Sequence, residues 1–279
     1  RTIQAIPGVK ASSEISSALY VRGASPDMTL ITMDQSTVYN PAHLFGLFST
    51  FNADAVKHIE LIKGGFPGEY GGRAGSVLDV ITNDGNRKEY EGMLMIGLIS
   101  ARAAIEGPLP NDRGSFAGSY RRTYFEPVLE IMRSSNPDLE DLPDYYFYDG
   151  NAKVNLDLSP STTLTVGGYL GNDNFFGEFG SSDARVSISS YWGNQTATAR
   201  LRHVMSKTSF LTVGLAYSQY GSGAEIWDLD ESGAGEDNLL DDFRNRFNDI
   251  AVRADWEFMG WRNHRIKTGL QVSQLQAQG

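Results

Sequence analysis

The chain has 279 residues, no cysteine, and a formal net charge of −10 from 24 basic and 34 acidic side chains. The acidic balance argues against a nucleic-acid partner, and the lack of cysteine excludes disulfides, thiol nucleophiles and thiolate metal sites. The four histidines are scattered, so we expect no metal site and no cofactor. The sequence contains no run of about 18 apolar residues, so no transmembrane helix is predicted, and the first residues lack the apolar core of a signal peptide. Two classes remain open: a soluble protein, or part of a chain that enters a membrane as a β-barrel.

The first part of the chain, residues 1–86, mixes short apolar runs with turn residues and shows no sustained alternation. Its most unusual stretch, from Lys63 to Thr82, reads KGGFPGEYGGRAGSVLDVIT. Glycine density of this kind suggests a phosphate-binding loop, but no Gly-Lys-Ser/Thr follows, and the next residues alternate as in a strand. We therefore predict that these glycines form consecutive tight turns.

The second part, residues 87–279, alternates apolar and polar residues with a period of two, which predicts β-strands. We expect about eight strands, near 88–105, 114–123, 145–158, 162–173, 190–204, 207–220, 246–259 and 263–275. One face is apolar, whereas the other carries charged residues such as Lys153, Arg253 and Asp255. Long polar connections are predicted at 124–144, 174–189 and 221–245, and aromatic residues cluster at strand ends. This pattern favours a transmembrane β-barrel over the alternative, a soluble β-protein.

Two connections contain further signals. Glu126 to Arg133 is predicted to be a short helix that ends before a proline-rich stretch. The acidic stretch from Trp227 to Phe243 lacks the spacing of a calcium-binding loop, so we predict a solvated loop there.

Three successive pieces of the first part carry a family resemblance: IPGV at residues 6–9, ALYVRGASPDMTLITMDQSTVYNP at 18–41, and HIELIKGGFPGEYGGRAGSVLDVITNDG at 58–85. In this order they resemble the plug domain of TonB-dependent outer-membrane transporters, in the version common in Bacteroidota. Arg22-Gly23 and Tyr70-Gly71 match motif positions of the family. Its Asp-Gly turn is altered, because Gln35 follows Asp34 and lacks the access of glycine to positive φ.

The resemblance implies a mainly β fold, in which a mixed α/β plug domain at residues 1–86 lies inside a transmembrane antiparallel β-barrel. Residues 87–279 would then be the first part of the barrel, because the plugged barrels of this class have about 22 strands. A barrel of about eight strands is filled by its own side chains and could not hold such a plug. The implied location is the outer membrane of a Gram-negative bacterium.

The function implied by the resemblance is TonB-dependent active transport of a scarce nutrient, such as a siderophore, cobalamin, a glycan or a peptide. The implied partners are outer-membrane lipid, the inner-membrane TonB complex, the small or oligomeric nutrient and a surface lipoprotein. No covalent chemistry is required, so we expect no catalytic residues. Alternatives are a non-transporting barrel that acts as a receptor, an adhesin or part of a secretion assembly and, less favoured, an outer-membrane enzyme.

The resemblance also implies two groups of site residues. Ligand contact is expected on the exposed plug loops, at Tyr39, Asn40, His43, Phe66, Glu69 and Tyr70. Their alternative role is in internal turns of the plug. Because plug arginines of the family pair with barrel glutamates, Arg22 and Arg73 are expected to lock the plug in place. Their alternative role is that of ordinary solvated arginines.

Overall fold

The computed structural model describes residue 7 and residues 9–11, 19–136, 142–181, 184–229, 238–261 and 264–279. It has two layers, a set of short strands in the first part of the chain and a large antiparallel sheet in the second. We call them the plug (β1–β8) and the wall (β9–β17). Across these described ranges, no helix has the length and apolar character needed to span a membrane.

The plug is built around a mixed sheet of four strands in the order β4-β3-β8-β7. Strands β3 and β8 run parallel, and the outer two pairs are antiparallel. Val77, Leu78 and Val80 of β8 are almost fully buried, because this strand lies in the middle of the sheet. The plug strands are β1 Val9–Ala11, β2 Leu19–Val21, β3 Thr29–Met33, β4 Ser36–Thr37, β5 Ala42–His43, β6 Phe48–Ser49, β7 Val56–Ile62 and β8 Ser76–Thr82.

The wall contains nine strands, paired in chain order and antiparallel throughout. Its strands are β9 Glu91–Ile96, β10 Ser100–Pro108, β11 Gly114–Thr123, β12 Asp144–Ser159, β13 Thr162–Ser181, β14 Ala184–Ser206, β15 Ser209–Leu229, β16 Asn238–Trp261 and β17 His264–Gln278. The segment 88–105, predicted as one strand, contains a turn at which the Gly97 N–H donates to the Ser100 carbonyl at 2.9 Å. This turn accounts for nine strands where the alternation predicts about eight.

The alternation within the wall strands is confirmed. On the outer face, Val166, Leu215 and Val252 are 47%, 50% and 51% exposed, whereas Asp149 and Lys153 on the inner face are 0% and 3% exposed. The inner face packs against the plug, and the outer face is apolar. An apolar outer face and a polar inner face are typical of transmembrane β-barrels.

The connections differ from the prediction at two places. The segments 174–189 and 221–245 were expected to be long polar loops, but β13, β14, β15 and β16 extend through most of them. The prediction was wrong because cross-strand pairing continues beyond the apolar band, for example between Phe175 and Ser190. Residues 230–237 of the acidic stretch lie outside the described residues. The short helix is confirmed as α1, Glu126–Ser135.

The wall has two ends, which we name by their connections. The upper end carries α1 and the turn 97–99, and the lower end carries the links 160–161 and 207–208. The predicted domain boundary after residue 86 falls in the connection between β8 and β9, which enters the wall at its lower end.

Candidate functional site

The contact between the plug and the wall is largely polar, and it is the feature from which we derive function. Hydrogen bonds and ion pairs from β10–β17 of the wall reach plug residues between Asp34 and Asp84. The shared apolar cluster is small and consists of Met33, Val38 and Tyr169, with Ile31 and Phe51 packed against it. The plug is therefore held against the wall mainly by polar groups, which can also bind water.

The most buried group of contacts surrounds His43, which is only 2% exposed. Its Nδ1 lies 2.6 Å from Asp173 Oδ2, and its Nε2 lies 3.5 Å from Asp149 Oδ2, an ion-pair distance too long for a good hydrogen bond. The ring stacks on Phe147 with 4.1 Å between centroids. The Leu44 backbone, at a φ of 47°, donates its N–H to Asp173 Oδ1 at 3.0 Å. One plug turn is thus held by two wall aspartates.

Arg121 completes the charge balance of this cluster. Its guanidinium pairs with Asp149 at 2.6 Å and donates to the Ser49 carbonyl of the plug at 2.8 Å. Burial by itself lowers the pKa of His43, but the contacts with Asp149 and Asp173 outweigh burial and raise this pKa above its ordinary value. With His43 protonated, the two cations and the two aspartates neutralise one another, which a buried cluster requires.

Tyr39 and Asn40 contact the wall beside this cluster. The Tyr39 N–H donates to Asn194 Oδ1 at 3.1 Å, and the Asn194 amide donates to the Asn40 carbonyl at 2.6 Å. The Tyr39 hydroxyl donates to Asp249 at 3.3 Å. Burial and the negative charge of Asp249 raise the pKa of Tyr39 to about 12. Both residues therefore hold the plug to the wall through polar contacts.

A second buried ion pair anchors the β3–β4 turn. Lys153 Nζ, on a side chain that is 3% exposed, lies 2.8 Å from Asp34 Oδ1 and 3.4 Å from Asp84 Oδ1, and it donates to the Thr82 carbonyl at 2.8 Å. Asp34 and Gln35 have φ values of 48° and 77°, so the turn keeps the left-handed conformation although Gln35 replaces glycine. The anchored Asp34 carboxylate helps to hold this strained backbone.

A third group of contacts holds the glycine-rich loop near the lower end. Glu69 Oε2 lies 2.7 Å from Arg253 and also pairs with Lys267, one of the first residues of β17. Burial raises the pKa of Glu69, but the hydrogen bonds with Lys267 and Arg253 outweigh it, so the pKa is lowered from its ordinary value. Glu69 is therefore ionised and holds an otherwise flexible loop.

The structure separates the six predicted ligand residues into two places. Tyr39, Asn40 and His43 lie together against the wall, with His43 toward the upper end. Glu69 lies near the lower end, Phe66 is partly exposed on the same glycine-rich loop, and Tyr70 donates to Asp79 within the plug at 3.4 Å. These six residues therefore do not form one site. Ligand contact by any of them stays a prediction.

Arg22 and Arg73 are exposed on the plug, and neither forms an ion pair with another residue in the described part of the chain. Their locking role stays a prediction. Most of the ion pairs that do join the plug to these strands have the opposite polarity, with an acid from the plug and a base from the wall. The plug acids in these pairs are Asp34, Asp54, Glu69 and Asp84. His43 is the exception, because it pairs with the wall aspartates Asp149 and Asp173.

Sequence reasoning missed the wall aspartates Asp149 and Asp173. Both occupy inward positions of alternating strands, next to residues such as Lys153 that the alternation had assigned to the polar face. Their inward positions could have been predicted from the alternation. The alternation does not show which plug residue an inward side chain contacts. Within the described ranges, no group of three or more histidine, aspartate or glutamate residues is arranged to hold a metal ion.

Residues 1–77 match the family model described as TonB-dependent Receptor Plug Domain. The chain carries a TonB-dependent receptor plug domain. A comparison with curated protein sequences gives no match. The family match covers Asp34, Tyr39, His43 and Glu69, so the contacts described above are those of a receptor plug with its barrel wall.

Solved structures share the fold of the plug with its wall. The ferric citrate transporter FecA in the unliganded form aligns with a TM-score of 0.54 and 12% identity, over 99% of this chain and 53% of that chain. The ferripyoverdine receptor of the outer membrane of Pseudomonas aeruginosa, bound to ferripyoverdine, aligns with a TM-score of 0.51 and 13% identity, over 98% and 49%. The FpvAI–pyocin S2 complex aligns with a TM-score of 0.52 and 12% identity, over 98% of this chain and 48% of that chain.

These similarities establish a receptor plug packed against part of a β-barrel. The chain spans about half the length of the structures it matches. The reported matches are a receptor domain and transporter or receptor structures rather than enzymes, in agreement with the prediction that the chain is not an enzyme.

Proposed function

We propose that the chain is the plug and the first barrel strands of a transporter that takes up a scarce nutrient across the outer membrane with energy from the inner-membrane TonB complex. The observation that supports this proposal best is the polar interface between the plug and the wall. A plug that must leave or rearrange exposes its contact surface to water, and ionic and hydrogen-bonding groups tolerate water far better than apolar groups do.

The distribution of contacts supports a movable plug as well. The His43 cluster, the Lys153 ion pairs and the Glu69 ion pairs are separate groups; the first two share strand β12, and the third lies on β16 and β17. A force on the plug can therefore break them one after another, which needs a smaller peak force than breaking one continuous apolar core. The outer apolar face of the wall fits contact with outer-membrane lipid.

We propose a siderophore or another scarce nutrient as the cargo class, because ferric citrate and ferripyoverdine are named for the two similar proteins described above. Cobalamin, glycans and peptides belong to the same proposal, and a surface lipoprotein could cover the upper end. The experiment is uptake of labelled candidates by cells with and without the complete gene, each with an intact or a deleted TonB complex.

The expected result is uptake that needs both the gene and TonB. A plug-docking variant such as Lys153→Met in the complete protein serves as a structural control, since it should alter passive leakage without restoring uptake in cells that lack TonB. Uptake that is independent of TonB for every candidate would refute the proposal. That result would favour a receptor, an adhesin or an assembly component.

A further inference from the structure

A groove of about 410 Å³ crosses the outer face of the wall at the upper border of its apolar band. Its floor is formed by Gly193 and Gly221, which are direct cross-strand partners on β14 and β15. Both strands are paired on either side, so the groove lies within the described sheet and not at its edge. The volume is in the range of about 300–1,000 Å³ that is typical of ligand-binding pockets.

The alternation of the strands places this groove on the face that points away from the plug. Asp173 and Asn194 contact the plug, so Asn172 and Gly193, which precede them in the chain, point outward. The outward row at this level consists of direct cross-strand partners on β12–β16, namely Tyr148, Asn172, Gly193, Gly221 and Arg246. The two glycines leave the middle of this row without side chains, and the row therefore forms a groove.

The groove lies at the level of the lipid headgroups. Immediately below it, Leu170 is 49% exposed and belongs to the apolar band of the outer face. Further up, the outer face is charged, as in the ion pair of Arg185 with Glu178 at 3.0 Å. Tyr148 and Tyr191 line the groove, and tyrosine is typical of the boundary between a membrane and water.

The upper end of the wall faces outward from the cell. The long connection between β11 and β12, which contains α1, lies at this end, whereas the lower end has the short links 160–161 and 207–208. In bacterial outer-membrane barrels the longer loops are extracellular and the short turns are periplasmic. The groove therefore borders the outer leaflet of the membrane.

The charge of the lining is positive. Within the described residues, Arg244 and Arg246 are its two charged residues, which gives it a charge of +2 in a chain of net charge −10. Arg244 is partly neutralised by Asp242 at 3.0 Å and Glu225 at 3.3 Å, neither of which lines the groove. Arg246 is exposed and forms no ion pair in the described part of the chain. A guanidinium group can hold a phosphate through two parallel hydrogen bonds.

Side-chain amides complete the lining. Asn172, Gln195 and Gln219 border the floor and can donate hydrogen bonds to phosphate or sugar oxygens. The Gln219 carbonyl oxygen accepts a hydrogen bond from the Tyr217 hydroxyl at 3.2 Å, which leaves the amide hydrogens of Gln219 available. The groove therefore offers cationic and neutral donors side by side.

We propose that this groove binds the phosphorylated headgroup of a lipid in the outer leaflet, whose acyl chains pack on the apolar band below. Arg246 holds the phosphate, Arg244 contributes less because two acids already engage it, and the amides bind the remaining headgroup oxygens. The +2 charge matches an anionic headgroup. Because the groove is continuous with the lipid-facing band, its occupant is a lipid and not a free anion. This site is independent of the cargo and of transport.

The experiment measures binding of lipid A, a phosphorylated disaccharide glycolipid, to the complete protein in mixed micelles by native mass spectrometry. The comparison ligands are dephosphorylated lipid A and, as a competitor, inorganic phosphate. We expect Arg246→Gln to lower the affinity for lipid A about fivefold, the effect typical of one basic residue at an anionic lipid surface, and Arg244→Gln to lower it less. Arg185→Gln, which removes an outer-face arginine above the groove, should leave the affinity unchanged.

A second variant tests the groove itself and keeps both arginines. A Cβ atom at Gly221 would have no neighbour closer than 4.0 Å, so the backbone there can accept a side chain. Gly221→Trp fills the groove and should lower the affinity for lipid A at least as much as Arg246→Gln does. Ala197→Trp, on the outer face of β14 within the apolar band, should bind lipid A normally.

Each variant is first checked for a folded barrel by its strand content in circular dichroism. Three results would overturn the proposal: equal affinity for lipid A and its dephosphorylated form, displacement of lipid A by inorganic phosphate, or unchanged binding by folded Gly221→Trp. The last result would mean that the arginines attract anionic lipid without a defined site.

Discussion

Replacing Lys153 with methionine should loosen the plug more than any exposed ion-pair change. The Nζ atom lies 2.8 Å from Asp34 Oδ1 on a side chain that is 3% exposed, and it also contacts the Thr82 carbonyl and Asp84. At an effective dielectric of about 20, two unit charges at this distance attract by about 6 kcal/mol, and desolvation offsets much of this energy.

Removing one partner of a buried pair costs about 3–5 kcal/mol when the other is left alone. Here Asp34 keeps hydrogen bonds from Thr82, and Asp84 keeps Lys57 at 2.6 Å. We therefore expect Lys153→Met to lower the free energy of plug docking by about 2–4 kcal/mol, slightly below the range for an isolated charge.

The assay is a urea titration of the complete protein in micelles, monitored by hydrogen exchange of the β3 and β8 amides. Arg87→Met is the matched control, because its pair with Asp157 has side chains that are 51% and 31% exposed, and such pairs contribute at most about 1 kcal/mol. If Lys153→Met lowers the free energy of plug docking by no more than the control does, the reasoning is refuted. The reasoning is also refuted if the docking free energies lost in Lys153→Met and Asp34→Asn add up in the double variant, since residues in contact should be energetically coupled.

Three further predictions use other parts of the fold. Because the pKa of His43 is raised, its protonation stabilises plug docking fully at pH values below the ordinary histidine pKa, and this stabilisation is lost as pH rises through the raised pKa. His43→Gln should therefore abolish this pH dependence of the urea midpoint. His58→Gln, at an exposed histidine, should leave the pH dependence unchanged. Gln35→Gly should relieve the left-handed backbone and raise plug stability by up to about 1 kcal/mol in the same titration, and destabilisation would contradict the strain. Leu215→Arg, on the apolar outer face, should lower barrel folding stability in lipid vesicles by roughly 2–4 kcal/mol, and Thr212→Arg on the inner face should cost less.

The sequence alone determined the class of the fold. A period of two in residues 87–279 can place apolar side chains on one face only if the chain is extended, so the strands and their two faces could be predicted locally. The ordered motifs around Arg22-Gly23 and Tyr70-Gly71 were specific enough for the plug resemblance, which the family match to residues 1–77 confirms.

Only the tertiary structure decided which residues meet. His43 was predicted to contact ligand from a plug loop, and that role stays a prediction. What the fold adds is its place between Asp149 and Asp173, more than 100 positions along the chain. Arg22 and Arg73 were expected to lock the plug, and that role stays a prediction. Within the described residues, the ion pairs between plug and wall are formed by four plug acids with wall bases and by His43 with two wall aspartates. Local periodicity fixes the direction of a side chain relative to its own strand, but the contact between two layers depends on how they are placed in space. That placement follows from the packing of the whole chain, which no short stretch of sequence encodes.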